Sequence, residues 1–317
     1  ENDQTHGGLL AVEKGGYLTI IDSNSNALHR FKPNSDGLWV LDENGSETVT
    51  GGVITGGTGY QYQKVHPNGE GYTEEAGGAV CVKVGGSLFM TGGNIVGCSA
   101  MSGKGGGVHV EGNFSMTGGS ITENRVDSGC NGGGVYADIN ANVTLSGAPV
   151  ITENKDADGT VNNVYLDKDE VYGEGGTFIG EGGLSSTSSI GVTVDTGRMP
   201  TTDGGYTTIA EAAEGYTITA DDAKRVSADA GTGYSVRQKD NALVLVKGEL
   251  PHEHPICGKT CGHTGNEKHT DDIEWKPVSS LSDITEAGSY YLTKDVETSG
   301  TWELTDGVNL CLNAHVP

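Results

Sequence analysis

Between Gly77 and Leu166 the apolar and polar positions spell one phrase three times, and a fourth copy begins. The copies open with Gly77-Gly78-Ala79-Val80-Cys81-Val82, Gly105-Gly106-Gly107-Val108-His109-Val110, Gly132-Gly133-Gly134-Val135-Tyr136-Ala137 and Asn162-Asn163-Val164-Tyr165-Leu166, so that Val80, Val108, Val135 and Val164 recur every 27 to 29 residues. A second alternating run follows each complete opening: Leu88-Phe89-Met90, Phe114-Ser115-Met116 and Val143-Thr144-Leu145. A Gly turn then leads into a third run ending in Ile95, Ile121 or Ile151. Period-two alternation inside each unit predicts strands, and a unit of this length repeated in tandem predicts stacking of unit upon unit. Three short strands joined by Gly-rich corners make one coil, and coils stacked about 4.8 Å apart make a parallel β-helix. The expected fold is therefore all-β, a right-handed parallel β-helix with three strands per coil. Val80, Val82, Leu88, Met90 and Ile95 point inward, each worth roughly 1.5–3 kcal/mol when fully buried.

The pattern starts earlier, at an offset of 70, where Gly7-Gly8-Leu9-Leu10-Ala11-Val12 and Leu18-Thr19-Ile20 match 77–82 and 88–90, and Val53-Ile54 supplies the third run. Two insertions enlarge this first coil, one over 22–47 with Trp39 and one over 56–76 with Tyr60, Tyr62, His66 and Tyr72. They are expected to cap the open end, because an exposed strand edge invites aggregation, or to touch a ligand. Beyond Leu166 the repeat decays through Thr177-Phe178-Ile179 and Ser189–Val194. A short helical turn is expected around Ile209–Glu214. A hairpin of Tyr234-Ser235-Val236 with Leu243–Val246 closes the stack. Three regions follow: a β-helix domain over 1–248, a Cys/His-rich linker over 249–274, and the cut-off start of a second β-helix-like module over 275–317.

Composition agrees with this scaffold. The 53 glycines fall at corners. A net charge of −24 excludes nucleic acid, whose phosphates require a basic face, and favours solubility and divalent cations. No apolar run reaches the roughly 18 residues that span a bilayer. A chain that opens on Glu1 without a signal-like segment is expected to be a mature or trimmed fragment.

The phrases Gly105–Val110, Ser115–Asn124 and Asn162–Leu166 resemble the β-helix repeats of large surface or secreted proteins from gut Firmicutes. The tail around Tyr290-Tyr291-Leu292 and Asn309–Asn313 is similar to the opening of another such module. The resemblance implies an extracellular or cell-surface location and a monomeric module of a larger chain. It also implies a non-catalytic role as adhesin or stalk that binds glycan or a host protein. The alternative on the same scaffold is a polysaccharide lyase or glycoside hydrolase of the pectate-lyase-like kind.

Chemistry must come from outward side chains. Cys81, His109, Tyr136 and Tyr165 form one column between inward residues, readable as exposed side chains that tolerate the pleat or as a strip on which sugars stack. Ligand contact is expected from His109, Tyr136 and Tyr165 with Tyr60 and Tyr62. The column holds no carboxylate, and a glycosidase needs two. Asn124 and Asn154, in equivalent Thr-Glu-Asn triplets below Cys98, predict an internal amide ladder. Asn154–Gly159 begins like a calcium loop but lacks its bidentate Glu, so an acidic turn is expected. In the linker, His252, His254, Cys257, Cys261 and His263 are donors suited to tetrahedral zinc. A flexible linker and a Cys257–Cys261 disulfide are the other readings. Zinc there is the one cofactor the sequence suggests.

Overall fold

A computed structural model of the chain describes residues 8–60, 62–65, 70–74, 77–101, 103–167, 176–248, 252–253, 260–261, 275–297, 301, 303 and 306–312. Among the described residues it is all-β, dominated by parallel sheets, with one four-residue α-helix at Ala220–Ala223 and two short 3-10 turns. No described helix is long and apolar enough to cross a membrane. Contacts divide the chain into one unit of Glu1–Met199 with Thr207–Leu245, and a second of Pro200–Tyr206 with Val246–Pro317.

In the first unit the strands of the repeat find their partners one repeat away. Leu10–Val12, Val80–Val82, Val108–Val110, Val135–Ala137 and Val164–Leu166 run parallel, with Val80 opposite Val108, Val108 opposite Val135 and Val135 opposite Val164. The second runs, Tyr17–Ile20, Ser87–Met90, Asn113–Met116, Asn142–Gly147 and Gly176–Leu184, pair likewise, as do the third runs from Val53–Ile54 through Asn94–Val96 and Ser120–Thr122 to Val150–Thr152. A fourth run, which the alternation does not separate from the third, makes its own parallel sheet of Thr58–Tyr60, Ser99–Met101, Arg125–Val126 and Lys155–Asp156. The strand Ser189–Val194 pairs with the first column through Val192 and with the third through Ile190, joining the two into one sheet.

The inward residues form a single apolar core. Val80, Val82, Leu88, Met90, Ile95, Val108, Met116, Ile121, Val135 and Ile151 are fully buried. Alternation explains this, because period two sends every second residue of a strand to one face. Beside the aliphatics runs a line of amides. The Cys98 N–H donates to Asn124 Oδ1 at 3.0 Å, and the Asn124 N–H and Nδ2 both donate to Asn154 Oδ1 at 3.0 Å. The Asn154 N–H and Nδ2 donate to Asn163 Oδ1 at 3.0 and 3.1 Å. The Asn163 N–H and Nδ2 end the line on the two oxygens of Asp229, both at 2.8 Å. The ladder expected from Asn124 and Asn154 is thus present, and it continues through Asn163 to a carboxylate. The chain turns these side chains inward at a residue of positive φ, Gly97 before Cys98, Glu123 before Asn124 and Glu153 before Asn154. Left-handed backbone at two glutamates is uncommon.

Both insertions carry strands, and one expectation, the helical turn at Ile209–Glu214, is corrected. The first insertion folds as an antiparallel sheet of Leu28–Pro33, Trp39–Leu41 and Glu47–Thr50 around a buried Phe31. Its Asp36, Gly37 and Leu38 share a concavity with Glu123, Arg125 and Lys155–Gly159 on a flank of the stack. The second insertion contains an antiparallel pair, Tyr62–Val65 with Gly71–Glu74. Ile209 to Ala212 belong to the strand Tyr206–Ala212, since the β-branched Thr207-Thr208-Ile209 favours extended backbone; the helix comes later, capped by Thr219 and Asp222. Strands Tyr234–Lys239 and Ala242–Lys247 are sheet neighbours joined at Asp240 and Asn241, both at positive φ, as a two-residue hairpin turn requires.

In the second unit Trp275–Val278, Gly288–Leu292 and Val308–Cys311 form a parallel sheet. Val278, Leu281, Ile284, Tyr290 and Leu292 pack on one side of it, and Trp275, Tyr291 and Cys311 make a second cluster.

Replacing Asn154 by Ala removes the acceptor of two Asn124 donors and one of the two donors to Asn163 Oδ1. At about 1–3 kcal/mol per buried polar group left unsatisfied, N154A is expected to lose roughly 2–5 kcal/mol in urea unfolding of the full chain. Asn140→Ala, an exposed control, is expected to lose under about 1 kcal/mol. Equal losses contradict the ladder.

Candidate functional site

Parallel register turns the sequence spacing of the first strands into columns on their outer face. Ala11, Cys81, His109, Tyr136, Tyr165 and Thr193 are consecutive partners. Two residues further on, the same alternation brings Glu13, Lys83, Glu111, Asp138, Asp167 and Asp195 onto that face. Backbone bonds carry the register that far: the N–H groups of Lys83, Glu111, Asp138 and Asp167 donate to the carbonyls of Val12, Val82, Val110 and Ala137. The acidic column is what the sequence reading missed. Its signal was present as a carboxylate two residues after each of His109, Tyr136 and Tyr165.

The first column is formed as expected but is not exposed. Cys81, His109 and Tyr136 are 1–2% exposed and Tyr165 6%. Its rings cover one another: His109 meets Tyr136 edge-on at 5.5 Å, Tyr136 stacks on Tyr165 at 5.3 Å, and Lys104 Nζ lies 4.6 Å from the centre of the Tyr136 ring. The phenols are also held at their tips. The Tyr136 hydroxyl donates to Asp167, and the Tyr165 hydroxyl donates to Asp195 at 2.7 Å. Sugars therefore find no open aromatic strip at His109, Tyr136 and Tyr165. Tyr60 is 54% exposed. Tyr62 lies on a described strand, but its side chain falls outside the described residues.

Electrostatics follow from this packing. Burial first, then the neighbouring Asp167, push the Tyr136 phenol far above its ordinary pKa; burial and Asp195 do the same to Tyr165. The Tyr165 hydroxyl and the Gly197 N–H hold Asp195 below the carboxylate range. Asp138 moves the other way. Burial raises it, Lys104 opposes, and Asp167 adds to the rise. Burial likewise raises the Cys81 thiol against the pull of Lys83, and lifts Cys98 to about 11.

Beside the Asp138–Asp167 part of the columns lies a cleft of about 270 Å³, lined by Asp138, Asp167, Arg198, Glu211 and Thr208–Ala210. Arg198 Nη2 donates to the Thr208 carbonyl at 3.0 Å, while its buried Nε and Nη1 meet no acceptor among the described residues. Carboxylates and a guanidinium thus converge in one groove, although they are distant in sequence.

Two of the five linker donors, His252 and Cys261, lie on described residues. His252–Glu253 pairs antiparallel with Thr260–Cys261, placing His252 opposite Cys261; His254, Cys257 and His263 lie outside the described residues. At 154–159, Asp156 Oδ1 accepts the N–H groups of Asp158 and Thr160 at 2.9 Å, which is turn chemistry. Comparison with known proteins finds no matching family model, no matching curated protein and no matching solved structure.

Because folding favours the neutral phenols, the contribution of Tyr136 and Tyr165 to stability is complete below the ordinary tyrosine pKa of about 10 and is lost as pH rises above it. Spectrophotometric titration of the folded protein is expected to show the same amplitude near pH ~10 for wild type and a Y136F/Y165F double variant. An amplitude smaller by two tyrosines in the variant contradicts the buried column.

Proposed function

We propose that the first unit is a right-handed parallel β-helix, three main strands per coil with a short fourth run at one corner. We further propose that it serves as a non-catalytic, extracellular stalk that binds glycan in the cleft at Asp138, Asp167, Arg198 and Glu211. The handedness follows the rule for parallel crossovers. The outside location rests on the likeness of the repeats to surface proteins of gut Firmicutes, and the strongly acidic chain is compatible with it. One observation carries the glycan reading. The cleft sets three carboxylate acceptors beside the Arg198 guanidinium, whose Nε and Nη1 are enclosed and lack an acceptor among the described residues, so that turning them toward a ligand breaks no hydrogen bond of theirs there. A sugar hydroxyl both donates and accepts, so a hydroxyl-rich ligand satisfies both sets at once. The role expected of the aromatic column moves to this cleft. The module acts as a single copy within a longer chain.

A second reading has its own support. Burial, with Asp167 beside it, raises the Asp138 carboxyl, and a carboxyl of raised proton affinity next to a second carboxylate is part of the equipment of a glycosidase. The two readings part on one experiment. The full chain is incubated with a panel of neutral and uronate-containing polysaccharides; binding is followed by affinity electrophoresis, and cleavage by new reducing ends and unsaturated products. The stalk reading predicts retardation without cleavage. It also predicts weakening of about tenfold or more in Arg198→Ala, the scale of a lost charged hydrogen bond. Cleavage that disappears in Asp138→Asn replaces it with the hydrolase reading, and neither retardation nor cleavage removes the glycan from both.

A further inference from the structure

The other end of the two columns holds a different set of donors. Cys81 and His109 are register partners on adjacent parallel strands. Glu111 stands two residues beyond His109 on the same face, and Lys83 two beyond Cys81. The result is a square: Cys-x-Lys on one strand, His-x-Glu on the next. One ligand atom each from Cys81, His109 and Glu111 lies within 4.8 Å of the other two. Lys83 Nζ sits 3.0 Å from a Glu111 carboxylate oxygen.

We propose that Cys81, His109 and Glu111 form a binding site for a thiophilic divalent cation of the zinc type. One sulfur, one imidazole nitrogen and one carboxylate oxygen are a zinc-like donor set, poorly matched to calcium or magnesium, which take oxygen alone. Bond lengths to zinc of about 2.0–2.3 Å put its ligand atoms roughly 3–4 Å apart. Closing the observed spread onto one ion takes a contraction of about an ångström, within the reach of side-chain rotation, especially at Glu111.

Burial supports the site. Cys81 and His109 are almost wholly enclosed, whereas Glu111 is half-buried and marks the side from which an ion enters. The backbone beneath is a parallel pair flanked by Leu10–Val12 on one side and Val135–Ala137 on the other, so the two strands hold their donors at a fixed spacing. Three protein ligands leave a fourth position for water or another donor.

Lys83 has a definite place in this account. Its ammonium is the cation that now balances Glu111. An entering metal ion takes over that carboxylate, Cys81 enters as thiolate with its proton released to solvent, and the flexible Lys83 stem swings aside. Lys83 therefore competes with the metal, and removing its charge tightens binding. The site is separate from the linker donors at His252–His263 and does not depend on the glycan reading, whose cleft is lined by other residues.

The test uses the full chain carrying Cys257→Ser and Cys261→Ser, so that linker thiols contribute nothing. After chelator treatment it is titrated with cobalt(II), reading the thiolate-to-cobalt absorption band, and then competed with zinc. One equivalent of cobalt with a thiolate band, displaced by zinc, is expected. The band is expected to vanish in Cys81→Ala and to weaken in His109→Ala. Lys83→Met is expected to tighten binding about five- to tenfold, the scale of the ion pair that no longer competes. Absence of the band, or its survival in Cys81→Ala, overturns the proposal. If Cys81→Ala does not fold, Lys83→Met decides alone: tighter binding supports the site, and unchanged or weaker binding overturns it.

Discussion

In-register pairing of parallel strands from successive repeats is the constraint on which the first unit depends. A short strand such as Val108–Val110 has no local partner, and its N–H and C=O groups are satisfied only by the strands one repeat above and below. Once that register is set, residues some 28 positions apart become neighbours on both faces. Inside, this stacks valine on valine and lines up Asn124, Asn154 and Asn163 so that each carboxamide oxygen accepts from the residue before it. Outside, the same register stacks Tyr136 on Tyr165 and aligns the acidic column beside them. The two faces are consequences of one pairing.

The amide line has a direction. Asn124 Oδ1 accepts one donor, Asn154 and Asn163 Oδ1 accept two each, and each amide passes its own donors onward until Asp229 closes the series with both carboxylate oxygens and also takes the Thr193 hydroxyl at 2.7 Å. A charged acceptor at the end of aligned dipoles strengthens the bonds before it. Asp229 follows Val226–Ala228, which pairs with Ser189–Val194, so the decaying part of the chain still serves the regular part by supplying this terminus.

Much of this was legible in the sequence because a two-residue period and a 27–29-residue period are both visible without coordinates. They gave the parallel strands, the inward aliphatics and the Asn124–Asn154 ladder. Three features were hidden for physical reasons. The fourth run, as in Ser99–Met101, is separated from the third by only two residues at a corner of positive φ, a turn that alternation alone does not mark. The burial of His109, Tyr136 and Tyr165 comes from rings covering one another and from hydroxyls held by Asp167 and Asp195, contacts made between repeats. Arg198 and Glu211 reach the cleft from segments where the repeat has decayed, so no spacing ties them to Asp138 and Asp167.

The arrangement divides labour along one face. At one end the first column offers sulfur and nitrogen beside a lysine–glutamate pair; at the other it offers phenols whose hydroxyls fix carboxylates around a cleft. Both ends use the same backbone positions and differ only in the side chains that each repeat places there.

Disulfide trapping across the second sheet tests the register most directly. Ser115 and Thr144 are partners on adjacent repeats and point away from the core. In a chain carrying Ser115→Cys and Thr144→Cys, mild oxidation is expected to close the cross-link rapidly. A pair displaced by two residues along the strand, Ser115→Cys with Asn142→Cys, is expected to react far more slowly. Equal rates for the two pairs, or faster closure of the displaced one, would contradict the stacking from which both faces of the unit follow.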